Sequence, residues 1–253
     1  MSLRSSLSSP VRARVRRAYV AASMPSARLR FAPDFIVVGA QRCGTTSLFR
    51  ALEQHPQMVR PSLNKGINYF DISYFRGEAW YRAHFPIRAV ARRRAGGAGP
   101  LMAFEASGYY LFHPLAPERI ARDLPNVKIV AMLRDPVERA YSAWKHESAR
   151  GFDGLGFEEA IATEAERTGA ERERMVADPR YQSDAYRHHS YVARGHYSEQ
   201  LREFYRRLPS ANVHVVYSED FFATPEAEFG RLTDFLGVAR MPGISFEQHN
   251  ARP

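Results

Sequence analysis

The stretch DFIVVGAQRCGTTS, residues 34–47, constrains the fold of this chain more than any other segment. Four apolar residues, Phe35, Ile36, Val37 and Val38, run up to Gly39. A Gly/Thr/Ser turn then opens an amphipathic segment from Thr45 to Gln54. Strand, tight turn and helix in that order aim free backbone N–H groups and the positive end of the helix dipole at one point. Such a point suits a phosphate or another oxyanion. A strand-to-helix turn in which Thr45 or Thr46 merely caps the helix would leave the same trace.

The spacing follows the P-loop pattern GxxxxGK[ST], with Gly39 and Gly44 at its two glycine positions. Thr45 stands where a nucleotide triphosphatase carries its lysine. A hydroxyl cannot neutralise a triphosphate, which disfavours ATP or GTP hydrolysis. The nearest cation is Arg42, placed for a smaller anion approached from the other side of the loop.

Downstream, strand and helix signals alternate. Residues 34–39, 102–105, 127–133 and 213–217 read as strands, and VKIVAML and VHVVY have the near-continuous apolar character of parallel strands covered on both faces. Helices are predicted over 45–54, 77–84, 117–123, 136–150, 157–170, 196–207 and 225–236. Pro117 and Pro225 stand at helix starts, and Gly151 and Gly237 at helix ends. ARRRAGGAGP (91–100) reads as a surface loop, and 171–189 as an excursion that covers a site. The fold class expected is α/β: a P-loop-like three-layer α/β/α domain with a central, mainly parallel sheet and its site at the carboxyl ends of the strands.

The net charge of +9 is concentrated at one end. Residues 1–30 hold seven arginines and no acid, leaving +2 for the rest of the 253 residues. This segment is expected to be a disordered, solubilising leader, with an organellar presequence or a membrane-surface role as the alternatives, and residues 31–253 a single domain. No specific nucleic-acid partner is implied. No apolar run approaches the ~18 residues of a transmembrane helix. The single cysteine excludes an intramolecular disulfide and fits a cytoplasmic protein, and no Cys/His zinc pattern is present.

A second chemical segment is KIVAMLRDPVERAYSAWKHES, residues 128–148. Arg134 follows a buried strand, and Arg139, Ser142 and His146 recur three and four residues apart on one face of the helix that begins there. A guanidinium with a hydroxyl and an imidazole beside it makes a second anion pocket. Pairing of Arg134 with Asp135 or Glu138, and simple packing of His146, is the competing reading.

With both segments in hand, the chain resembles the sulfotransferases that use 3′-phosphoadenosine 5′-phosphosulfate (PAPS), in particular a bacterial branch similar to heparan sulfate sulfotransferases. QRCGTTS (41–47) resembles the family's 5′-phosphosulfate loop and LRDPVERAYSAWKHE (133–147) its 3′-phosphate motif. NYFD, WYRAHFP, FEASGYYLFHP, SYVARGHYSEQL and SEDFFATP follow in the family's order. The resemblance implies that Cys43, Gly44, Thr45, Thr46 and Ser47 form the 5′ loop. Arg42 takes the place of the lysine that stabilises the leaving phosphate. Arg134 and Ser142 would grip the 3′-phosphate, and Arg194 and Gly195 would belong to a loop closing over the nucleotide. PAPS is then the co-substrate and 3′-phosphoadenosine 5′-phosphate (PAP) the product. No metal is required, and the acceptor is a hydroxyl or amine of a carbohydrate or small molecule. A P-loop nucleotide kinase or hydrolase, and a catalytically weakened PAPS/PAP-binding protein, are the alternatives.

The chain departs from the family in KGINYFD, residues 65–71, where Gly66 and Asn68 replace the glutamate and histidine that relatives carry. His146 is the first candidate for the general base, followed by Glu105 and Asp71. Lys65 reads either as a ligand for the sulfonate or an acidic acceptor, or as a solvated loop lysine. Cys43 is expected to be structural, His188 and His189 to lie at the surface, and Trp80, Tyr81 and Phe85 to pack in the core. Tyr109, Tyr110 and Phe112 either line the acceptor cleft or pack. The chain ends at Pro253, where relatives continue for about another helix, so the domain edge is expected to be truncated.

Overall fold

A computed structural model describes residues 9–247. At its centre lie five parallel strands in the order β2-β3-β1-β4-β5: β1 Phe35–Gly39, β2 Met58–Val59, β3 Met102–Ala106, β4 Lys128–Leu133 and β5 Val213–Tyr217. All five residues of β1 are buried, as the covered-strand pattern requires. Phe35 stacks on Phe104 of the neighbouring strand at 5.1 Å between ring centroids.

The strand order decides where the site is. The chain leaves β1 toward β3 on one side and later returns to pair β4 on the other. The carboxyl end of β1 is therefore a topological switch point, where a crevice opens between diverging connections. Gly39, Ser107 and Arg134 follow or end the strands that meet there. Ser107 N donates to Val37 O and Leu111 N to Val38 O, while Ala40 N donates to Met132 O, so all three strand ends are stitched together.

Most of the expected helices form, among them Thr45–Leu52, Pro136–Ser148 and Pro225–Leu236. The last ends at Gly237, whose φ of 79° is the left-handed cap that glycine supplies. Three expectations are corrected. The 157–170 helix breaks into Phe157–Ala162 and Glu164–Thr168, because the Glu164 carboxylate turns inward to accept from Tyr191, Val192 and Ala193 N. The 91–100 loop begins inside a helix, Arg88–Arg94, and opens only at its glycines. The leader is helical from Ser9 to Ser23 and 3-10 from Met24 to Leu29, while residues 1–8 lie outside the described ones. Val20, Ser23, Ala27 and Arg30 are buried, and Arg30 Nη1 donates to Phe85 O at 2.6 Å, which docks this segment on the helix Gly77–Arg82 and its exit.

Candidate active site

The turn after β1 is shaped by two glycines that nothing larger replaces. A Cβ on Gly39 would lie 3.0 Å from Gly108 O, and one on Gly44 would lie 2.9 Å from the Met132 methyl and 3.0 Å from the Phe222 ring. Both have positive φ, 146° and 85°, as does Arg42 at 71°, a conformation that costs a non-glycine residue about 1 kcal/mol. Gly44 caps the helix Thr45–Leu52, so the first-turn N–H groups open into the crevice.

The cations divide differently from the expectation. Arg42 Nε donates to Ser142 Oγ at 3.0 Å, tying the loop to the helix Pro136–Ser148. The cation placed on the hydroxyls of the loop is Lys65, whose Nζ donates to Thr45 Oγ1 at 2.9 Å and to Thr46 Oγ1 at 3.1 Å. Burial, with the Arg50 charge behind it, pushes the Lys65 ammonium down to about 7. Of its two readings from sequence, the solvated loop lysine is therefore set aside.

At the end of β4, Arg134 makes an ion pair with Glu138 at 3.1 Å, with the arginine side chain 32% exposed and the glutamate 65%. An exposed pair of this kind is worth no more than about 1 kcal/mol, so an incoming phosphate competes with it easily. Asp135 caps the helix through Val137 and Glu138 N. His146 lies one turn beyond Ser142 on the same helix and is partly exposed.

Glu105, at the end of β3, is fully buried. Its carboxylate accepts from Tyr81 Oη (2.7 Å), Tyr110 Oη (3.0 Å), Ser107 Oγ (2.9 Å) and Ile67 N (3.4 Å). Burial outweighs those donors and pushes its carboxyl up to about 7. Ser107 Oγ also accepts from Asn68 N, and Tyr110 Oη from Tyr69 and Phe70 N. Glu105 thus anchors the 67–70 segment to the sheet. Asp71 is also buried, and burial pushes its carboxyl up to about 6, while its Oδ1 accepts from Ile72 N.

Arg194 points inward. Its guanidinium donates to Gln41 Oε1 and to Arg187 O, and lies 5.0 Å from the ring centroids of both Tyr109 and Phe112. Tyr109 and Phe112 are therefore packing partners of this arginine, and Tyr110 a partner of Glu105. Gly195 packs on the helix start, where a Cβ would meet Pro136 Cβ at 3.0 Å. Gln41 Nε2 donates to Glu147 Oε1 at 2.9 Å, and Glu147 Oε2 faces His188 Nδ1 at 2.9 Å. His188 is thus not a surface residue: it is buried and stacked on Phe152 at 3.9 Å. Burial alone would raise the Glu147 carboxyl, but His188, Gln41 and Arg150 hold it below the usual range. Cys43 is fully buried and its thiol is pushed up to about 11 by burial, which suits a structural role. Among the described residues, no group of three or more His, Cys, Asp or Glu side chains gathers as a metal site.

The sequence model described as the sulfotransferase domain matches residues 32–247. The human bifunctional heparan sulfate N-deacetylase/N-sulfotransferase 2 is 27% identical over 214 residues, covering 81% of this chain and 22% of that protein. The human heparan sulfate glucosamine 3-O-sulfotransferase 3B1 is 29% identical over 209 residues, covering 83% of this chain and 47% of that one. The chain therefore spans less than half the length of these two relatives. The crystal structure of a sulfotransferase from Alicyclobacillus acidocaldarius superposes with a TM-score of 0.62 at 32% identity, covering 87% of both chains. The parallel sheet, the loop after its central strand and these matches together place the chain in the sulfotransferase domain family.

Proposed function

We propose that the protein transfers the sulfuryl group of PAPS to a hydroxyl or amine of a carbohydrate or small-metabolite acceptor, releasing PAP. The observation that carries this reading is the pair of separate anion cradles at one switch point. One is built from Thr45, Thr46 and Lys65 at a helix N-terminus, the other from Arg134 at the end of β4 and Ser142 on the helix that follows it, which Arg42 ties to the loop. An adenosine phosphorylated at both ends of its ribose needs two such cradles, and a nucleoside triphosphate needs one.

The residues present fit the co-substrate. The amides of Cys43, Gly44 and the first helical turn, with the Thr45, Thr46 and Ser47 hydroxyls, would hold the 5′-phosphosulfate. Lys65 brings positive charge to the same hydroxyls, and Arg134 and Ser142 would hold the 3′-phosphate. Sulfuryl transfer is an in-line displacement in which positioning and stabilisation of the leaving phosphate's charge carry most of the rate. Lys65 and the loop amides supply that stabilisation. Arg42, held on Ser142, adds fixed charge to the loop. Gln41, gripped by Arg194 and Glu147, keeps the loop in register with the helix that carries Ser142 and His146, and Gly195 brings the segment above it close.

For the proton of the acceptor, His146 is the proposed base: it shares a helix face with Ser142, whereas Glu105 and Asp71 are buried in structural contacts. Gly66 and Asn68 favour a second reading, a weakened enzyme or a PAPS/PAP binder. A cytoplasmic site of action is part of the proposal. Among the described residues, no helix is long and apolar enough to cross a membrane. Calorimetry with PAP and with ATP–Mg, followed by transfer from labelled PAPS to a sugar and metabolite panel, tests the proposal. PAP binding with transfer supports it, PAP binding without transfer selects the binder, and binding of ATP–Mg alone refutes it.

A further inference from the structure

The N-terminal helix Ser9–Ser23 presents a face that the fold does not use. Val20 and Ser23 turn toward the protein and are buried. On the other side, Val11 and Val15 recur four residues apart and are 39% and 54% exposed, while Tyr19, one turn on, leans back onto the protein, where its hydroxyl meets Ser62 and Arg30. Ala18 and Ala22, on the same stripe, are exposed as well. Arg14 and Arg17 flank one side of the stripe and Arg16 lies beyond the other, all exposed, and no acidic residue occurs anywhere in residues 1–30.

The basic surface continues beyond the helix. Arg88 donates to the carbonyls of Arg28 and Arg30, joining the helix Arg88–Arg94 to the end of the N-terminal segment. Arg92, Arg93 and Arg94 are exposed there, and the apolar side chains between these charges, Leu29 and Val90, are 59% and 43% exposed.

We propose that this end of the molecule lies on an anionic lipid bilayer, with the N-terminal helix in the plane of the interface. Arginines alone would suit any polyanion. Valines exposed in the same stripe gain nothing from a phosphodiester or sulfated chain in water, whereas the headgroup boundary of a bilayer accepts both the charges and the apolar stripe. The inference rests on this surface and not on the transfer reaction. It has a consequence for the candidate site. Arg16 donates to the Asn64 side chain, once that amide is oriented to satisfy both its partners, and Asn64 precedes Lys65. The helix that carries the docked face therefore adjoins the loop that carries Lys65.

Co-sedimentation of the full chain with phosphatidylcholine vesicles, with and without phosphatidylglycerol, tests the proposal. Binding is expected to anionic vesicles and to be far weaker on neutral ones. Each arginine near an anionic surface strengthens binding roughly fivefold, so Arg14→Glu with Arg17→Glu should weaken it by at least about 25-fold. Val15→Asp sits at an exposed helical position and should lower binding to anionic vesicles by about tenfold or more, with an unchanged melting curve. Absence of sedimentation with anionic vesicles overturns the proposal. So does full retention of binding in Val15→Asp, which would identify a charge-only contact open to nucleic acid or acidic glycans.

Discussion

If PAP seats on Thr45 and Thr46 as proposed, Lys65 should make that binding a proton-coupled event whose size follows from its surroundings. In the free protein its ammonium titrates near 7, lowered by burial and by Arg50. At pH 8 only about a tenth of the molecules then carry that charge, against about nine-tenths at pH 6. A phosphate or phosphosulfate seated on Thr45 and Thr46 gives the ammonium a counter-charge and returns its pKa toward the ordinary lysine range. Binding of PAP should therefore take up roughly 0.9 proton at pH 8 and roughly 0.5 at pH 7. Above pH 8 the dissociation constant should rise about tenfold per pH unit, or about 1.4 kcal/mol, until the pKa of the complex is reached. The ligand's own phosphate protons titrate near 6, so pH 7.5–9 is the clean window. Calorimetry in two non-phosphate buffers of different ionisation enthalpy counts the protons, and Lys65→Met should remove both the uptake and the slope. Zero uptake at pH 8 with a pH-independent affinity would refute the reasoning. The free protein carries the matching signature. A base whose folded pKa lies below its unfolded value contributes stability that increases as pH rises from about 7 toward 10.5, because the unfolded chain binds the proton that the folded one releases.

Three substitutions address the remaining roles. Arg134→Ala, which gives up only an exposed partner in Glu138, should leave the melting temperature nearly unchanged and weaken PAP binding by roughly 2 to 4 kcal/mol; an unaltered dissociation constant removes Arg134 from the 3′ pocket. His146→Ala should depress turnover roughly 10²-fold with PAP affinity spared, and wild-type turnover would dismiss it as the base. Gly66→Glu should fold, since Gly66 has no positive φ and a Cβ there meets nothing closer than Ala106 O at 3.4 Å. If a carboxylate at this position is what the active site lacks, turnover rises, most visibly in the His146→Ala background; a flat response in both backgrounds shows that 66 is not a base position.

The central architecture was legible because parallel strands buried on both faces cannot avoid being apolar throughout, as 35–38 and 129–133 are. The segment 213–217 shares the apolar run but lies at the sheet edge, where only Val216 is buried and Tyr217 is exposed, so the expected cover on both faces is corrected there. Strand β2 left no such mark: two residues, Met58 and Val59, pair at the sheet edge and carry no pattern of their own. The helical excursion over 171–189 and the break at Thr163 depend on contacts across long stretches of chain. Met175 and Tyr186 pack on Tyr109, and Glu164 reaches Tyr191–Ala193. Local propensity contains neither. The leader misled because arginine, serine and alanine are the composition of a disordered tail and equally of a helix; burial of Val20, Ser23 and Ala27 against the 77–86 region decided it. At the site, glycine and hydroxyl positions were readable from the turn they impose, whereas the partner of each cation was not. Lys65 meets Thr45 across 20 residues and Arg42 meets Ser142 across 100.

That division of cations has a physical logic. A guanidinium stays charged whatever surrounds it, so Arg42 is placed where a permanent partner hydroxyl and partial solvent keep its charge affordable without ligand. The loop hydroxyls lie deeper, with Thr45 8% and Ser47 2% exposed. A permanent charge there, unpaired in the empty protein, would cost several kcal/mol. An amine avoids this by releasing its proton to solvent when no anion is present and retaking it when one arrives. On the proposed function, charge at the Ser142 end is fixed and charge at the Thr45/Thr46 end depends on the bound anion. On that same proposal, the lysine missing from the loop sequence is supplied by Lys65 from a neighbouring segment, as an amine whose charge can follow that of the ligand.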